Sequence, residues 1–122
     1  MNTAPNVTLV VVAYGRADLL EALLDSITDH TPEAHEILVV DNASPDDTYG
    51  RASRHKSRPR LIKAGKNLGY GGGANLGIRA SKSDIVIIMN SDLEVTEGWL
   101  RPLLRPIAVS YTHLTLPTIY SV

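Results

Sequence analysis

The chain has 122 residues, enough for one domain with one modest hydrophobic core. Its formal net charge of −1 gives no indication of a nucleic-acid or strongly acidic partner. It contains no cysteine, which excludes disulfides and thiolate chemistry, and its four histidines lack the spacing of a zinc site.

The first apolar run, residues 7–13, is too short to span a membrane and has no basic segment before it. It therefore predicts a strand rather than a signal peptide, and we expect a cytoplasmic protein. Similar runs of mostly β-branched residues at 36–40 and 84–89 predict two more buried strands. A shorter strand is predicted around Leu61-Ile62.

Helical patterns alternate with these strands. Leucine and isoleucine recur at helical spacing over residues 17–28, and Asp18 and Glu21 have the spacing of a capping box. Ser44, followed by proline and two acids, predicts the N-cap of a second, weak helix. The glycine-rich residues 67–78 are expected to lead from a loop into a third helix that ends near Ser81.

A last helix is predicted over residues 97–104, where Pro102 should break or kink it. The full order is β-α-β-α-β-α-β-(α). Alternation of this kind predicts an α/β fold with a mainly parallel sheet and flanking helices.

Four predicted strand ends carry distinctive groups, which should meet at one edge of a parallel sheet. They are residues 13–16 (Ala-Tyr-Gly-Arg), 41–44 (Asp-Asn-Ala-Ser), 67–69 (Asn-Leu-Gly) and 90–92 (Asn-Ser-Asp). The Asp92 carboxylate, with oxygen-bearing neighbours, suits a hard divalent cation on a phosphate ligand. A plain turn is the alternative interpretation of residues 90–92.

Residues 51–66 hold seven of the twelve Lys and Arg residues. A solvated helix face and loop is the favoured interpretation, and local help in holding a phosphate is the alternative. Because aromatic residues do not interleave with these charges, nucleic-acid binding is not expected.

Three segments in order, Val-Val-Asp41-Asn-Ala-Ser, Asn67-Leu-Gly-Tyr and Gly98-Trp-Leu, resemble the N-terminal, nucleotide-sugar-binding half of family 2 glycosyltransferases. The likeness is closest to the rhamnosyltransferase-like branch and covers about residues 7–104. It implies the Rossmann-like GT-A fold of nucleotide-diphospho-sugar transferases, here truncated, over residues 1–107. It also implies transfer of a sugar, with inversion, from a UDP- or dTDP-sugar to a hydroxyl of a glycan or lipid-linked acceptor.

The same resemblance implies the site residues. Tyr14 would flank the base, Asp41 would accept a hydrogen bond from the base or ribose, and Asn67 and Gly69 would shape that pocket. Asp92 would bind Mg²⁺ or Mn²⁺ on the diphosphate. The full set of nucleotide-sugar-binding residues is Ala13, Tyr14, Arg16, Asp41, Asn67, Gly69, Asn75, Asn90 and Ser91, with Asp92 as the metal ligand.

Two residues depart from the family pattern. Gly15 stands where the family often has asparagine, and Asn90 replaces the first acid of the Asp-x-Asp-type motif, which should weaken metal binding. The family's general base lies further downstream. This chain alone is therefore expected to be inactive. The resemblance also implies that the full-length enzyme acts in cell-envelope polysaccharide assembly, as a protein peripheral to the membrane.

The C-terminal residues change character. Val109 to Thr118 resemble the in-frame translation of a transposase-type sequencing adapter, so residues 108–122 are expected to be a non-native tail and the natural sequence to stop near Ile107. A natural C-terminal strand is the alternative.

Three other functions remain open from the residues alone. Gly69-x-Gly71-x-x-Ala74, with Asp92 further on, fits the loose fingerprint of an NAD(P)-binding oxidoreductase. That fingerprint should directly follow a strand, and here residues 63–68 intervene. A nucleotidyltransferase would need a basic, glycine-rich loop after the first strand, which the sequence lacks. The third alternative is a non-catalytic nucleotide-binding protein.

Overall fold

A computed structural model describes residues 6–104 and 118–122 of the chain. Strands and helices alternate through these ranges. In order they are β1 (Val7–Ala13), α1 (Ala17–His30), β2 (Glu36–Asp41), α2 (Thr48–Ser53), β3 (Arg60–Lys63), α3 (Gly69–Ala80), β4 (Ile85–Asn90) and β5 (Thr118–Ser121).

The strands form one sheet in the order β3-β2-β1-β4-β5, and every pair in it is parallel. The central strand β1 aligns Thr8 with Glu36 of β2 on one side and with Val86 of β4 on the other. The predicted α/β class and mainly parallel sheet are therefore confirmed. Because all described strands run the same way, their carboxyl ends share one edge of the sheet.

Apolar side chains cover both faces of the sheet, as expected for strands without polar alternation. On one face Leu9 and Val11 pack with Leu20 and Leu24 of α1. On the other face Val10 and Val12 pack with α3. Full burial of one aliphatic side chain of this size contributes about 1.5–3 kcal/mol of transfer free energy. Burial of these side chains therefore holds α1 against one face of β1 and α3 against the other.

Helix α3 approaches the sheet closely because glycines face β1. A Cβ on Gly77 would overlap Cγ1 of Val10, and one on Gly73 would lie 2.7 Å from Cγ1 of Val12. The expected third helix is present, and it already begins at Gly69, so residues 71–73 are helical. Tertiary packing compensates here for the poor intrinsic helix propensity of glycine.

The predicted capping box at the start of α1 is also wrong. Arg16 is the N-cap, in the left-handed conformation with φ 53°, and it makes no side-chain cap hydrogen bond. Asp18 instead pairs with the Arg16 guanidinium at 3.2 Å, and Glu21 accepts a hydrogen bond from Arg51 of α2.

The second helix begins later than predicted. Helix α2 starts at Thr48, and its N-cap is Asp47 rather than Ser44. The Ser44 hydroxyl is already used, because it donates to Oδ1 of Asp41. A side chain engaged by the preceding strand end cannot cap a helix.

The segment after β4 differs from the predicted helix as well. Residues 97–100 form turns and bends. In this segment, the described helical residues are 101–104. Pro102 lies in the first turn of this helical piece, where a missing backbone N–H is tolerated. No kink is therefore needed.

Part of the expected tail is strand. β5 pairs in parallel with β4, from Thr118 opposite Ile85 to Ser121 opposite Ile88. The predicted boundary after Ile107 and most of the adapter-like stretch lie outside the described residues. The pairing of β5 with β4 is compatible with either origin of this sequence, so the non-native origin of residues 108–122 stays a prediction. Across residues 6–104 and 118–122, the helices are all too short or too polar to cross a bilayer.

Candidate functional site

An open cleft of about 520 Å³ lies at the carboxyl edge of the sheet. It lies at the ends of β1 and β4, where the chain order along the sheet reverses, which is the usual ligand position in open α/β folds. It is lined by Val12, Tyr14, Arg16, Leu19, Asn42, Asn67, Gly69, Tyr70, Asn90, Ser91 and Asp92.

Most of the predicted site residues meet in this cleft. Those that line it are Tyr14, Arg16, Asn67, Gly69, Asn90, Ser91 and Asp92. The structure does not bring the other three to the cleft surface. Ala13 is fully buried, Asp41 is only 5% exposed, and Asn75 is an exposed residue of α3.

The turn after β1 directs a cation into the cleft. Gly15 and Arg16 both have positive φ, 66° and 53°. Glycine accepts this conformation without strain, which explains why it is suitable at position 15. The Arg16 guanidinium lies at the cleft surface, and its hydrogen bond with Asp18 raises the pKa of Arg16. The cleft therefore has a guanidinium on this side, which is paired with the exposed Asp18 carboxylate in this structure.

The Asp41 carboxylate is buried in this structure and forms hydrogen bonds with other parts of the protein. Its Oδ1 accepts the backbone N–H of Ser44 at 3.0 Å and also the Ser44 hydroxyl. Oγ of Ser44 in turn accepts the backbone N–H of Gly15 at 2.8 Å. The carboxylate thus ties the end of β2 to the turn after β1. Its contact with a base or ribose stays a prediction.

Sequence reasoning did not single out Asn42. This residue lines the cleft although it is only 3% exposed, and its side chain bonds to the backbone of Leu68 and Gly69. The only sequence feature that could have pointed to Asn42 is its position, as an amide side chain directly after Asp41 at the end of β2. That pattern does not reveal which distant backbone groups the amide meets.

Two tyrosines give the cleft aromatic surface. Tyr14 is 54% exposed and Tyr70 is 41% exposed, and both line the cleft. Tyr70, the second residue of α3, was not among the predicted site residues. Exposed rings of this kind offer a surface on which a planar ligand could stack.

The side of the cleft formed by residues 90–92 could hold a divalent cation. Asn90, Ser91 and Asp92 all line it, and their oxygens are of the hard type that Mg²⁺ and Mn²⁺ prefer. Within residues 6–104 and 118–122 there is no group of three or more acidic, histidine or cysteine side chains able to hold a metal. Any ion held by Asn90, Ser91 and Asp92 would need further oxygen ligands, which a bound phosphate can supply.

The basic residues of the segment 51–66 lie away from the cleft. Arg51 pairs with Glu21, and Arg54 pairs with Asp47 at 2.8 Å. Nζ of Lys63 lies 4.6 Å from the centre of the Tyr49 ring. None of the described Lys or Arg residues between 51 and 66 lines the cleft. These contacts agree with a solvated surface rather than a phosphate-holding group.

Comparison with known proteins gives a consistent result. The family model for glycosyl transferase family 2 matches residues 8–122. The succinoglycan biosynthesis protein ExoO of Rhizobium meliloti is 33% identical, over 86% of this chain and 30% of the relative. The GalNAc(5)-diNAcBac-PP-undecaprenol beta-1,3-glucosyltransferase of Campylobacter jejuni is 27% identical, over 90% of this chain and 37% of the relative.

A solved structure also matches. The mannosyltransferase PcManGT from Pyrobaculum calidifontis, in complex with GDP-Man and Mn²⁺, has a TM-score of 0.68 and 30% identity over 74% of this chain. The match covers 28% of that protein, so the chain spans roughly a third of these relatives. The fold is the GT-A fold, and the oxidoreductase alternative is not supported. The chain belongs to glycosyl transferase family 2.

Proposed function

We propose that the chain is the donor-binding part of a glycosyltransferase that moves a sugar from a nucleoside-diphosphate sugar to an acceptor hydroxyl with inversion. One observation carries the proposal. A single cleft at the carboxyl edge of the sheet combines an exposed aromatic ring (Tyr14), a cation (Arg16) and a carboxylate (Asp92). A base, a diphosphate and a phosphate-bound cation need these three kinds of group.

In this proposal, one part of the cleft binds the base and ribose and another binds the diphosphate. Tyr14, Asn67 and Gly69 receive the base and ribose, and Asp41 and Ala13 support that end from below the surface. The Arg16 guanidinium donates hydrogen bonds to the negative diphosphate, which takes the place of its exposed partner Asp18. Asn75, exposed on α3, is the most peripheral of the predicted contacts.

Asp92 is the proposed ligand of a divalent cation, with Asn90 and Ser91 as neutral oxygen neighbours. When bound, such an ion neutralises the charge that develops on the departing nucleoside diphosphate. The PcManGT complex contains Mn²⁺, which supports a divalent ion in this fold. With only one carboxylate in the set, binding of the ion should depend strongly on the nucleotide being present.

The donor base is also a proposal. We favour a uridine or thymidine diphosphate sugar, whereas the PcManGT complex contains GDP-Man. The acceptor is proposed to be a glycan or a lipid-linked sugar of the cell envelope. The names of two relatives, one in succinoglycan biosynthesis and one acting on an undecaprenol-linked acceptor, support this class. Cytoplasmic location, membrane-surface association and the rhamnosyltransferase-like branch stay predictions.

Transfer also requires a base within hydrogen-bond reach of the acceptor hydroxyl. Asp92 is the only carboxylate among the described residues that lines the cleft, and the metal role occupies it. We therefore propose that the general base belongs to the part of a longer protein that this chain does not span. The chain alone should bind donor without transferring sugar.

Calorimetric titration of the purified chain with UDP, dTDP, GDP and NAD⁺, each with and without MnCl₂, tests this function. We expect one of the three nucleoside diphosphates to bind more tightly with Mn²⁺, and NAD⁺ not to bind. At a hundredfold excess over Kd, the bound nucleotide should stabilise the fold by about 2.7 kcal/mol. Absence of binding to all three diphosphates at millimolar concentration would contradict the proposal, and sugar transfer by the chain alone would contradict the predicted inactivity.

A further inference from the structure

We propose that Asn42 is a positioning residue that holds the cleft wall, which we define as residues 67–70, in its binding geometry. The inference concerns a residue at the end of β2 that makes no assigned contact with donor. It deepens the proposed function and rests on it, because the wall that Asn42 holds is the one assigned to the base and ribose.

Three hydrogen bonds fix Asn42 between separate parts of the fold. Its backbone N–H donates to the carbonyl of Ala13 at 2.8 Å. Its side-chain Oδ1 accepts the backbone N–H of Leu68 at 3.0 Å, and its Nδ2 donates to the carbonyl of Gly69 at 2.9 Å. One residue therefore joins the end of β1, the end of β2 and the start of α3.

The orientation of the amide is determined by these partners. If the group were turned over, Nδ2 would face the N–H of Leu68 and Oδ1 would face the carbonyl of Gly69, and both bonds would be lost. Because Asn42 is only 3% exposed, few water molecules can reach its amide, so the loss of both bonds is costly. The side chain thus accepts one arrangement of Leu68 and Gly69.

The cleft wall has few other restraints. Gly69 has a positive φ of 75°, and Leu68, the N-cap of α3, provides no side-chain cap. Within the wall, the one side-chain bond is from the Gly69 N–H to Oδ1 of Asn67 at 2.8 Å, and it does not connect the wall to the sheet. Among the described residues, Asn42 supplies the side-chain hydrogen bonds that make this connection.

Packing leaves Asn42 little freedom to move. A Cβ on Gly73, in the second turn of α3, would lie 3.2 Å from Nδ2 of Asn42. The helix therefore rests directly against the amide. A change at position 42 should pass to Asn67, Gly69 and Tyr70, which all line the cleft.

The experiment compares Asn42→Ala and Asn42→Asp with a matched control, Thr8→Val. Thr8 is also a fully buried polar residue of the central part of the sheet, and its hydroxyl bonds Ser83 and Glu36 at the opposite, amino edge. Native-state amide exchange is measured at Leu68 in all four proteins, together with the affinity for UDP, dTDP and GDP in MnCl₂.

In Asn42→Ala we expect Leu68 exchange at least tenfold faster and nucleotide affinity at least tenfold weaker. In Asn42→Asp the Leu68 bond survives, because a carboxylate still accepts, while the Gly69 bond is lost; slow exchange with weakened affinity is expected. Thr8→Val should keep both values of the wild type. If Asn42→Ala does not fold, the split result in Asn42→Asp decides.

Unchanged Leu68 exchange in Asn42→Ala would overturn the positioning role, and so would equal affinity losses in Asn42→Ala and Thr8→Val. The exchange measurement does not need a ligand. If the wild type binds none of the three nucleotides but Leu68 exchange follows the expected pattern, the proposed donor site fails while the positioning of the wall by Asn42 holds.

Discussion

The indole Nε1–H of Trp99 donates a hydrogen bond of 2.9 Å to Oγ1 of Thr31, across the space between the segment after β4 and the end of α1. A second bond, 3.0 Å from the backbone N–H of Val95 to Oγ of Ser26, runs in parallel with it. The chain that follows Asp92 is therefore fastened to α1 at two points. Asp92 itself stays at the surface of the cleft.

The Trp99–Thr31 bond should be visible in a double-mutant cycle. Trp99→Phe keeps an aromatic ring and removes the donor, and Thr31→Val keeps the shape and removes the acceptor. Each change should lower the free energy of unfolding by about 1 kcal/mol, and the double variant should lose less than the sum. Urea unfolding provides the measurement, and strict additivity of the two losses would argue against a stabilising bond.

Asp92→Asn tests the metal assignment. The substitution keeps the size of the side chain and removes its charge, so the added affinity that Mn²⁺ gives to a nucleoside diphosphate should fall about tenfold, or about 1.4 kcal/mol. Glu94→Gln is the matched control, since Glu94 is an exposed carboxylate two residues away that does not line the cleft. Titrations with and without MnCl₂ compare the two, and an equal effect of both variants would mean that general surface charge matters rather than Asp92.

Two glycines of α3 should respond to alanine in opposite directions. Gly77→Ala drives a Cβ into Cγ1 of Val10, so we expect a loss of about 1–3 kcal/mol from overpacking. Gly71→Ala meets no heavy atom within 4 Å and should gain up to about 1 kcal/mol from higher helix propensity. Thermal unfolding of the two variants checks this; a Gly77→Ala protein as stable as the wild type would show that α3 can move away from the sheet.

The Asp46 carboxyl should titrate low in the folded protein. The hydroxyl of Thr48 donates to Oδ1 of Asp46, and this bond lowers the pKa of Asp46 below its ordinary value. As the pH falls, the unfolded chain therefore takes up the proton first, at about pH 4. The contribution of this group to stability is complete above that pH and is lost as the pH falls through the folded-state pKa.

Thr48→Val removes the hydroxyl and keeps the backbone N–H bond to Asp46, so the pKa of Asp46 should rise toward its ordinary value. Titration of the side-chain carboxyl by NMR measures the value directly in both proteins. The Asp18 carboxyl serves as an internal control, because its pKa is lowered by a different donor, Arg16. An Asp46 pKa that does not change in Thr48→Val would refute the assigned cause.

The strands could be predicted from the sequence because their signal is carried by the residues themselves. Val7–Ala13 and Ile85–Asn90 consist mainly of β-branched side chains, and burial on both faces of a sheet is the arrangement that accommodates them. The edge position of polar groups such as Asp92 then follows from parallel topology alone. Thus most of the cleft residues could be named from the residue pattern.

Helix starts and buried polar contacts were harder to predict, because they depend on partners far away in the chain. Ser44 has the composition of an N-cap, yet Asp41 and Gly15 occupy its hydroxyl. Asp18 has capping-box spacing, yet the left-handed Arg16 determines how α1 begins. Asn42 depends on Leu68 and Gly69, and a local pattern around position 42 contains no information about them.

The central place of β1 means that its two partner strands leave the ribosome at different times during synthesis. Its partner on one side, β2, follows after a single helix, whereas β4 emerges from the ribosome much later. Closing the longer loop carries a larger entropy penalty and slows that step. The β1–β2–β3 unit can assemble first, with one edge of its central strand open, and the arrival of β4 both seals that edge and delivers Asp92 to the cleft.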